Sequence, residues 1–434
     1  MAKALIISYY WPPSGGSGVQ RWMYFAKYME ENGIQPIVLT VDAEKAAYPA
    51  YDYSLLEQVK HVKTFRTHPG FNLLGMYSFL KSGKSKKIVP VGDIGGKKKS
   101  WLDKFSTYIR ANFFVPDARV GWNTKALPIA KKIITEEKID WVITTGPPHS
   151  THLIGLELKN EMDFHWLADF RDPWHDIYYN KLFNRSKRAD AKDLQLELNV
   201  LKSADTILTV GPSMKDLLIT KYEGLVEKSF FIYNGYDEHA FERLKKKQST
   251  SFTLAHIGVW TLQQAHQEII EALQEICTTE TNTKINFVLA GNVDASILKR
   301  LREIPNLVVD YKGKLNHKDA LQEMKNADLL LNCLALVENS KLLISGKLME
   351  YIATGNPIAL VGNKDGDAAH LLSGINNSIV VAPGEVNKLK EYIIKQIKEY
   401  PHQETIVTNI TRFSRTETAK ELVKLLNLRK TIKS

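Results

Sequence analysis

Short apolar runs alternate with amphipathic stretches along this chain, and their order predicts the fold class. Residues 4–8 form an apolar run of strand length. A Pro- and Gly-rich turn follows, and then Val19, Trp22, Met23, Ala26 and Met29 recur at the spacing of one helix face. Asn32 and Gly33 supply the stop. Residues 36–41 are apolar without alternation, the pattern of a strand covered on both faces in a parallel sheet. The opening 41 residues therefore read as a strand, helix, strand unit. Further apolar runs at 140–145, 166–170 and 206–210, with helical patterns between them, predict a doubly wound α/β domain.

A second series of the same design follows the turn-rich stretch Tyr233-Asn234-Gly235-Tyr236-Asp237. Its strands are predicted at 252–257, 285–290, 307–311, 329–333, 358–361 and 379–381. The expected architecture is two doubly wound Rossmann-like domains, residues 1–237 and 250–405, facing an interdomain cleft, with the boundary between Asp237 and Ser249. The closing segment, 406–434, carries Ala419, Leu422, Val423 and Leu426 on one helix face and is expected to pack back on the first domain. Residues 68–122 break the rhythm. There Trp101, Leu102, Phe105, Tyr108, Ile109, Phe113 and Phe114 recur mostly at spacings of three or four beside a lysine cluster. Two readings stand: an amphipathic helix at a membrane interface, or an insertion whose aromatics are buried while its lysines are solvated.

Composition narrows the class. A chain of 434 residues, 44% hydrophobic and 24% charged, matches a folded protein of two or three domains and excludes disordered or collagen-like material. No apolar run reaches the roughly 18 residues of a membrane span. The stretch 5–7, soon interrupted by Pro12 and Pro13, is too short for a secretion signal, so a cytoplasmic protein is expected. Only Cys277 and Cys333 are present, without a CxxC pair, which argues against a disulfide framework or a zinc site. The net charge is +10, and the eight lysines between Lys81 and Lys104, against Asp93 and Asp103, hold six of those charges. Such a segment suits peripheral contact with an anionic membrane through 81–114 at its inner face. Nucleic acid is not expected as a partner, because no recognised binding module accompanies the cluster.

The chemistry-bearing residues fall at strand ends. Gly15, Gly16 and Gly18 lie between the first strand and its helix, where backbone amides can approach a phosphate or sugar without a Cβ in the way. Gly16-Ser17-Gly18 also begins like a dinucleotide fingerprint, with Asp42 after the second strand, but its third glycine position is Arg21, which counts against a nicotinamide enzyme. In the second domain Ser345 can cap a helix from which Lys347 and Glu350, three apart, project on one face. A cation near a helix N-terminus suits a diphosphate, and a carboxylate one turn on can accept both hydroxyls of a ribose. In the first domain Asp169, Arg171, Asp172, Trp174 and His175 cluster beyond a strand end as acceptor-site candidates, and His149 lies at another strand end. Asp172 could orient an attacking hydroxyl, or pair internally with Arg171.

The order of the glycine loop, the Asn234-Gly235-Tyr236-Asp237 junction and the helix-turn-strand from Glu350 to Pro357 resembles family 4 retaining glycosyltransferases of the GT-B fold. The strings VPDARVGW (115–122), TTGPPHSTHL (144–153) and WLADFRDPW (166–174) resemble a bacterial surface-polysaccharide branch of that family. The resemblance implies a nucleotide-sugar donor in the second domain, with Glu350 on the ribose and Gly16, Gly18 and Gly258 near the diphosphate or sugar. It further implies a saccharide or lipid-linked acceptor on the first domain, met by Asp169, Arg171, Trp174 and His149. Two departures matter. Leu342 stands where family members often have a second glutamate, and the stretch 258–264 lacks their usual arginine and lysine. Lys341 and Lys347 are the substitutes, and Lys347 and Asp172 are the expected catalytic residues.

Departure of a sugar from a diphosphate is helped by fixed positive donors, so no metal or other cofactor is expected. Asp365-Gly366-Asp367 reads as a turn. A sugar-nucleotide epimerase of the same architecture and a non-catalytic nucleotide-sugar-binding protein remain as alternatives.

Overall fold

A computed structural model describes residues 1–46, 48–70, 108, 111–177, 180, 185–247, 249, 251–279, 284–400 and 410–433. The chain separates into two compact units, one of residues 1–233 with 415–434, the other of 234–414.

In the first unit, chain order runs β1 (Ala2–Ile7), α1 (Ser17–Met29), β2 (Ile34–Val41), β3 (Lys63–Thr67), α2 (Asn123–Glu137), β4 (Trp141–Gly146) and α3 (Ser150–Glu161). It continues through β5 (His165–Phe170), α4 (Lys187–Ser203), β6 (Thr206–Thr209), α5 (Pro212–Ile219) and β7 (Ser229–Phe231). The described strands form one parallel sheet in the order β3-β2-β1-β4-β5-β6-β7. The order reverses between β1 and β4, where Ala4 pairs with Trp141 and Ile7 with Thr144. Ligands of doubly wound sheets bind outside the carboxyl ends of the strands at such a reversal.

The second unit repeats the plan. It contains α6 (Glu238–Glu242), β8 (Phe252–Ile257), α7 (Gln267–Thr279), β9 (Ile285–Ala290), α8 (Ala295–Arg302), β10 (Leu307–Tyr311) and α9 (His317–Asn326). Then come β11 (Leu329–Cys333), α10 (Gly346–Thr354), β12 (Ile358–Val361), α11 (Asp367–Leu372), β13 (Ser378–Val381) and α12 (Val386–Glu399). The sheet order is β10-β9-β8-β11-β12-β13, again parallel and again reversing beside its first strand. The two ends of this unit adjoin, since the Tyr236 amide donates to the Phe413 carbonyl at 3.0 Å.

The hydrophobic pattern explains these elements. The helical set Val19, Trp22, Met23, Ala26 and Met29 is buried against Ala4, Ile6 and Val38 of the sheet. The last helix, α13 (Arg415–Lys433), adds Ala419, Leu422, Val423 and Leu426 to the same core. Each such leucine contributes about 1.5–3 kcal/mol, so α13 is part of the first unit's core. The sequence pattern misses β3 and β7. Of β3 only Thr67 is buried, so it shows no apolar run, and β7, at the opposite sheet edge, is only three residues long, Ser229–Phe231.

The lysines between Lys81 and Lys104, and Trp101, Leu102, Phe105 and Ile109, lie outside the described residues. Of their neighbours, Phe113 and Tyr108 are exposed. Trp122 is buried, donating from its indole to Thr67 Oγ1 at 2.7 Å, so the chain from Val115 to Trp122 is built into the first unit. Among the described residues no helix is long and apolar enough to cross a membrane.

Candidate functional site

Each unit carries its own constellation at the carboxyl ends of its strands. In the first, the chain leaves β1 and enters α1 through Gly16, whose φ of +99° favours glycine. Arg21 of α1 is buried. Its Nε donates to Asp169 Oδ1 at 3.1 Å and its remaining nitrogens to the carbonyls of Ile232 and Thr209. Asp169 also accepts from the Trp22 indole at 2.6 Å and from Thr145 Oγ1 at 2.8 Å. A side chain with no exposure and these bonds cannot touch an acceptor, so the expectation for Asp169 is corrected: it ties α1 to β4 and β5.

Arg171 follows β5 and is likewise committed to the fold. Its Nε donates to the Gly146 carbonyl at 3.1 Å, and its two terminal nitrogens donate to the carbonyls of Gly18 and Pro147. A Cβ on Gly18 would stand 3.2 Å from that guanidinium, a tight contact. Arg171 thus staples the β1–α1 turn to the loop after β4, and its expected acceptor contact gives way to a positioning role. The Trp174 ring is buried, donates to Asp193 Oδ1 at 2.8 Å and stacks on His149 with centroids 5.1 Å apart. His149 is buried too, and desolvation, with the charges of Arg171 and Lys221, lowers its pKa to about 3. Both therefore form the floor of the loop instead of offering an acceptor surface. Asp172 keeps an exposed side chain.

The three strings of the first unit form one structure. Asp117 accepts from the Ser150 amide and hydroxyl, both at 2.8 Å, and so caps α3. Burial raises the Asp117 carboxyl while those hydrogen bonds lower it. Thr144 bonds the Trp166 indole at 2.9 Å and His152 Nδ1 at 2.8 Å.

The second unit's constellation sits where β8 ends. Gly258, at φ +143°, follows the strand, and a Cβ there would fall 2.8 Å from Lys347 Nζ. A Cβ on Gly291 would fall 2.2 Å from the Gly258 carbonyl oxygen, so two glycines allow this close backbone approach. Helix α10 is fixed over the strand by Tyr351, whose buried hydroxyl accepts from the Ile257 amide at 2.9 Å. One turn earlier, Lys347 Nζ lies 2.9 Å from His256 Nε2, and desolvation lowers its pKa to about 8, opposed by Cys333 and Glu350. Glu350, half-buried, has Oε1 2.8 Å from His317 Nε2 at the start of α9.

The structure thus places Lys347 against Gly258, with Glu350 on the same helix three residues further on. Lys341 is exposed on the turn Ser340–Leu342, with no recorded contact to this group. Ser345 precedes α10 without capping it, because its hydroxyl is exchanged with the Asn332 amide at 2.8 and 3.1 Å. Two residues of this group were not read from the sequence. His256 is a polar position inside an apolar strand, which is the one signal it gave, and His317 sits in a polar helix start that looked like any solvated turn.

Chemically, a half-buried ammonium beside a bare glycine backbone offers fixed donors to an anion, and the adjacent carboxylate can accept from hydroxyls. The chain has the GT-B fold. It is similar over its full length to the lipopolysaccharide outer core galactosyltransferase WaaB, at 13% identity and TM-score 0.57, covering 100% of both chains. It is similar to TarM of S. aureus, solved with UDP, at 11% identity and TM-score 0.57 over 100% of this chain and 99% of that one. A protein of Listeria monocytogenes assigned as a UDP-N-acetylglucosamine 2-epimerase matches at 10% identity and TM-score 0.54, over 99% and 96%. No protein-family model matches the chain, and no curated protein matches it in sequence. At such identities these likenesses establish the fold, which hosts more than one reaction.

Proposed function

We propose that this chain is a retaining glycosyltransferase, similar to family 4, that moves a sugar from a nucleotide-sugar donor to a saccharide or lipid-linked acceptor in bacterial surface-polysaccharide or glycolipid synthesis. The observation that carries the reading is the group at the end of β8: Lys347 beside Gly258, with Glu350 one turn along α10. In this scheme the Lys347 ammonium and the first amides of α10 bind the diphosphate and stabilise the charge that develops on it as the sugar departs. Glu350 accepts the ribose hydroxyls. Asp172 on the first unit orients the acceptor hydroxyl, supported by its exposure at the end of a loop that Arg171 and Trp174 hold in place. No metal enters the scheme, and retention rests on the family resemblance.

The test is a panel of UDP, GDP, dTDP, CDP and ADP in thermal denaturation of the wild type, Glu350→Ala and Lys347→Ala. One nucleotide is expected to raise the wild-type melting temperature by about 2–4 °C at a hundredfold excess over Kd, and to do so less in both variants. A panel with no effect on the wild type removes the donor assignment, and an equal effect on all three proteins misplaces the site. The similarity to the Listeria protein favours one second reading, an epimerase. Incubation with the sugar form of the stabilising nucleotide, without acceptor, separates the two: an isomerised sugar nucleotide identifies the epimerase.

A further inference from the structure

His256 has no place in the scheme above, yet it is the most confined polar group near Lys347. It is fully buried in β8. Its Nδ1 lies 3.1 Å from the Leu331 carbonyl of the neighbouring strand and 3.7 Å from the Cys333 sulfur. Its Nε2 lies 2.9 Å from Lys347 Nζ and 3.4 Å from the Val259 carbonyl. A neutral imidazole has one donor and one acceptor nitrogen. With the proton on Nδ1, the ring donates to Leu331 and accepts from the lysine, so both shorter contacts are satisfied. With the proton on Nε2, a lone pair would face the Leu331 carbonyl and an N–H would face an ammonium. A doubly protonated ring is disfavoured, since burial and the Lys347 charge push its pKa well below the ordinary value.

We propose that His256 is a positioning residue for donor binding, a neutral Nδ1-protonated imidazole that accepts a hydrogen bond from the Lys347 ammonium and keeps that ammonium against the bare backbone of Gly258. The inference rests on the reading of this group as the seat of the donor's diphosphate. Without the acceptor at Nε2, the four-carbon stem of Lys347 would be free to swing its charge toward solvent. The groups facing Lys347 are His256 from β8, Cys333 from β11 and Glu350 on its own helix, with Glu268 and Tyr351 acting on Cys333 or beside it. Cys333 stays a neutral thiol at working pH, because burial pushes it up to about 12. Lys347 is therefore the group of this set that changes charge near pH 8. Diphosphate favours its protonated form, so affinity should fall as pH rises above about 8.

The experiment compares the wild type, His256→Leu and His256→Gln. Gln keeps an acceptor at the position of Nε2, and Leu does not. The first readout needs no ligand: the pH dependence of Lys347 acylation by competitive labelling and mass spectrometry. The wild type should reach half-reactivity at about pH 8. His256→Leu should do so at higher pH, because the released ammonium regains water, and His256→Gln should return to the wild-type value. Identical curves for the wild type and His256→Leu overturn the proposal. Should the leucine variant fail to fold, nitrogen NMR of the wild type with labelled histidine decides, the signal being assigned by its loss in His256→Gln. A neutral Nδ1–H ring between pH 6 and 9 supports the assignment, and an imidazolium or an Nε2–H ring overturns it. The second readout is the affinity for the nucleotide panel between pH 6.5 and 9.5, expected to be weaker in His256→Leu with its break at higher pH, and restored in His256→Gln. If no nucleotide binds the wild type while the labelling curves separate, the donor reading fails and the role of His256 toward Lys347 stands.

Discussion

Lys347 is held in its seat against its own solvation. Burial lowers its pKa from the ordinary 10.5 to about 8, so the folded chain binds this proton less tightly than the unfolded chain does. The sign follows from linkage: between these two values the unfolded state holds more protons, so the lysine's contribution to stability rises with pH and its penalty is fully present below about pH 8. For a side chain that keeps some exposure the penalty is about 1–3 kcal/mol. Lys347→Met should therefore stabilise the protein by about that amount at pH 7, with the gain shrinking by pH 9.5, in urea denaturation at the two pH values. The same variant should lose nucleotide binding. A variant less stable than the wild type, or a gain independent of pH, would show that the ammonium is adequately solvated where it stands. Lys347 and Glu350 were legible in the sequence because three residues on a helix bring them to one face. His256 was not, because its partners Lys347 and Leu331 lie 91 and 75 residues away, and only the folded sheet brings them into contact. Likewise the string around Asp169 signalled polar chemistry, but nothing in it said that Asp169 and Trp174 point inward while Asp172 points out.

At the scale of elements, the joint between β8 and α10 sets the candidate donor site. Tyr351 pins the helix to the strand end, and Gly258 leaves room for the lysine that the helix brings over it. Gly258→Ala tests this joint. The added Cβ meets the mobile end of Lys347 instead of backbone, and an alanine at φ +143° is strained, so a stability loss of about 1–2 kcal/mol is expected. The lysine must move away, and nucleotide affinity measured by calorimetry should fall at least about tenfold. Full affinity in a folded Gly258→Ala protein would mean that Lys347 does not contact the ligand. The strands that build this joint were readable from the chain because parallel strands covered on both faces appear as unbroken apolar runs; the run at 252–257 is the observed β8. The edge strands escaped the same reading for different reasons: β3 is a mixture of Lys, Thr, Phe and Arg, and β7 is only three residues long.

At the scale of the whole molecule, two sheets reverse their order in the same way, so the position at which doubly wound sheets bind ligands occurs once in each unit. The sequence between Lys81 and Lys104 carries six of the ten net positive charges. Charge concentrated in this way acts on a surface of the opposite sign over about 8 Å at physiological salt, and each lysine near an anionic bilayer contributes about 1 kcal/mol. A lipid-linked acceptor would place the reaction at such a bilayer, so the charge and the proposed chemistry make one joint prediction. Sedimentation with vesicles containing about a third phosphatidylglycerol should retain the protein at 0.15 M salt and release most of it at 0.5 M, whereas pure phosphatidylcholine should retain little at either. Changing Lys97, Lys98 and Lys99 together to Gln removes about 3 kcal/mol of attraction, enough to lower the partition coefficient about a hundredfold. The nucleotide-induced rise in melting temperature should be unchanged in that variant, because these lysines lie outside both constellations in the scheme. Equal sedimentation with the two lipids would assign the cluster to some other anion and leave a soluble saccharide as the acceptor to test first.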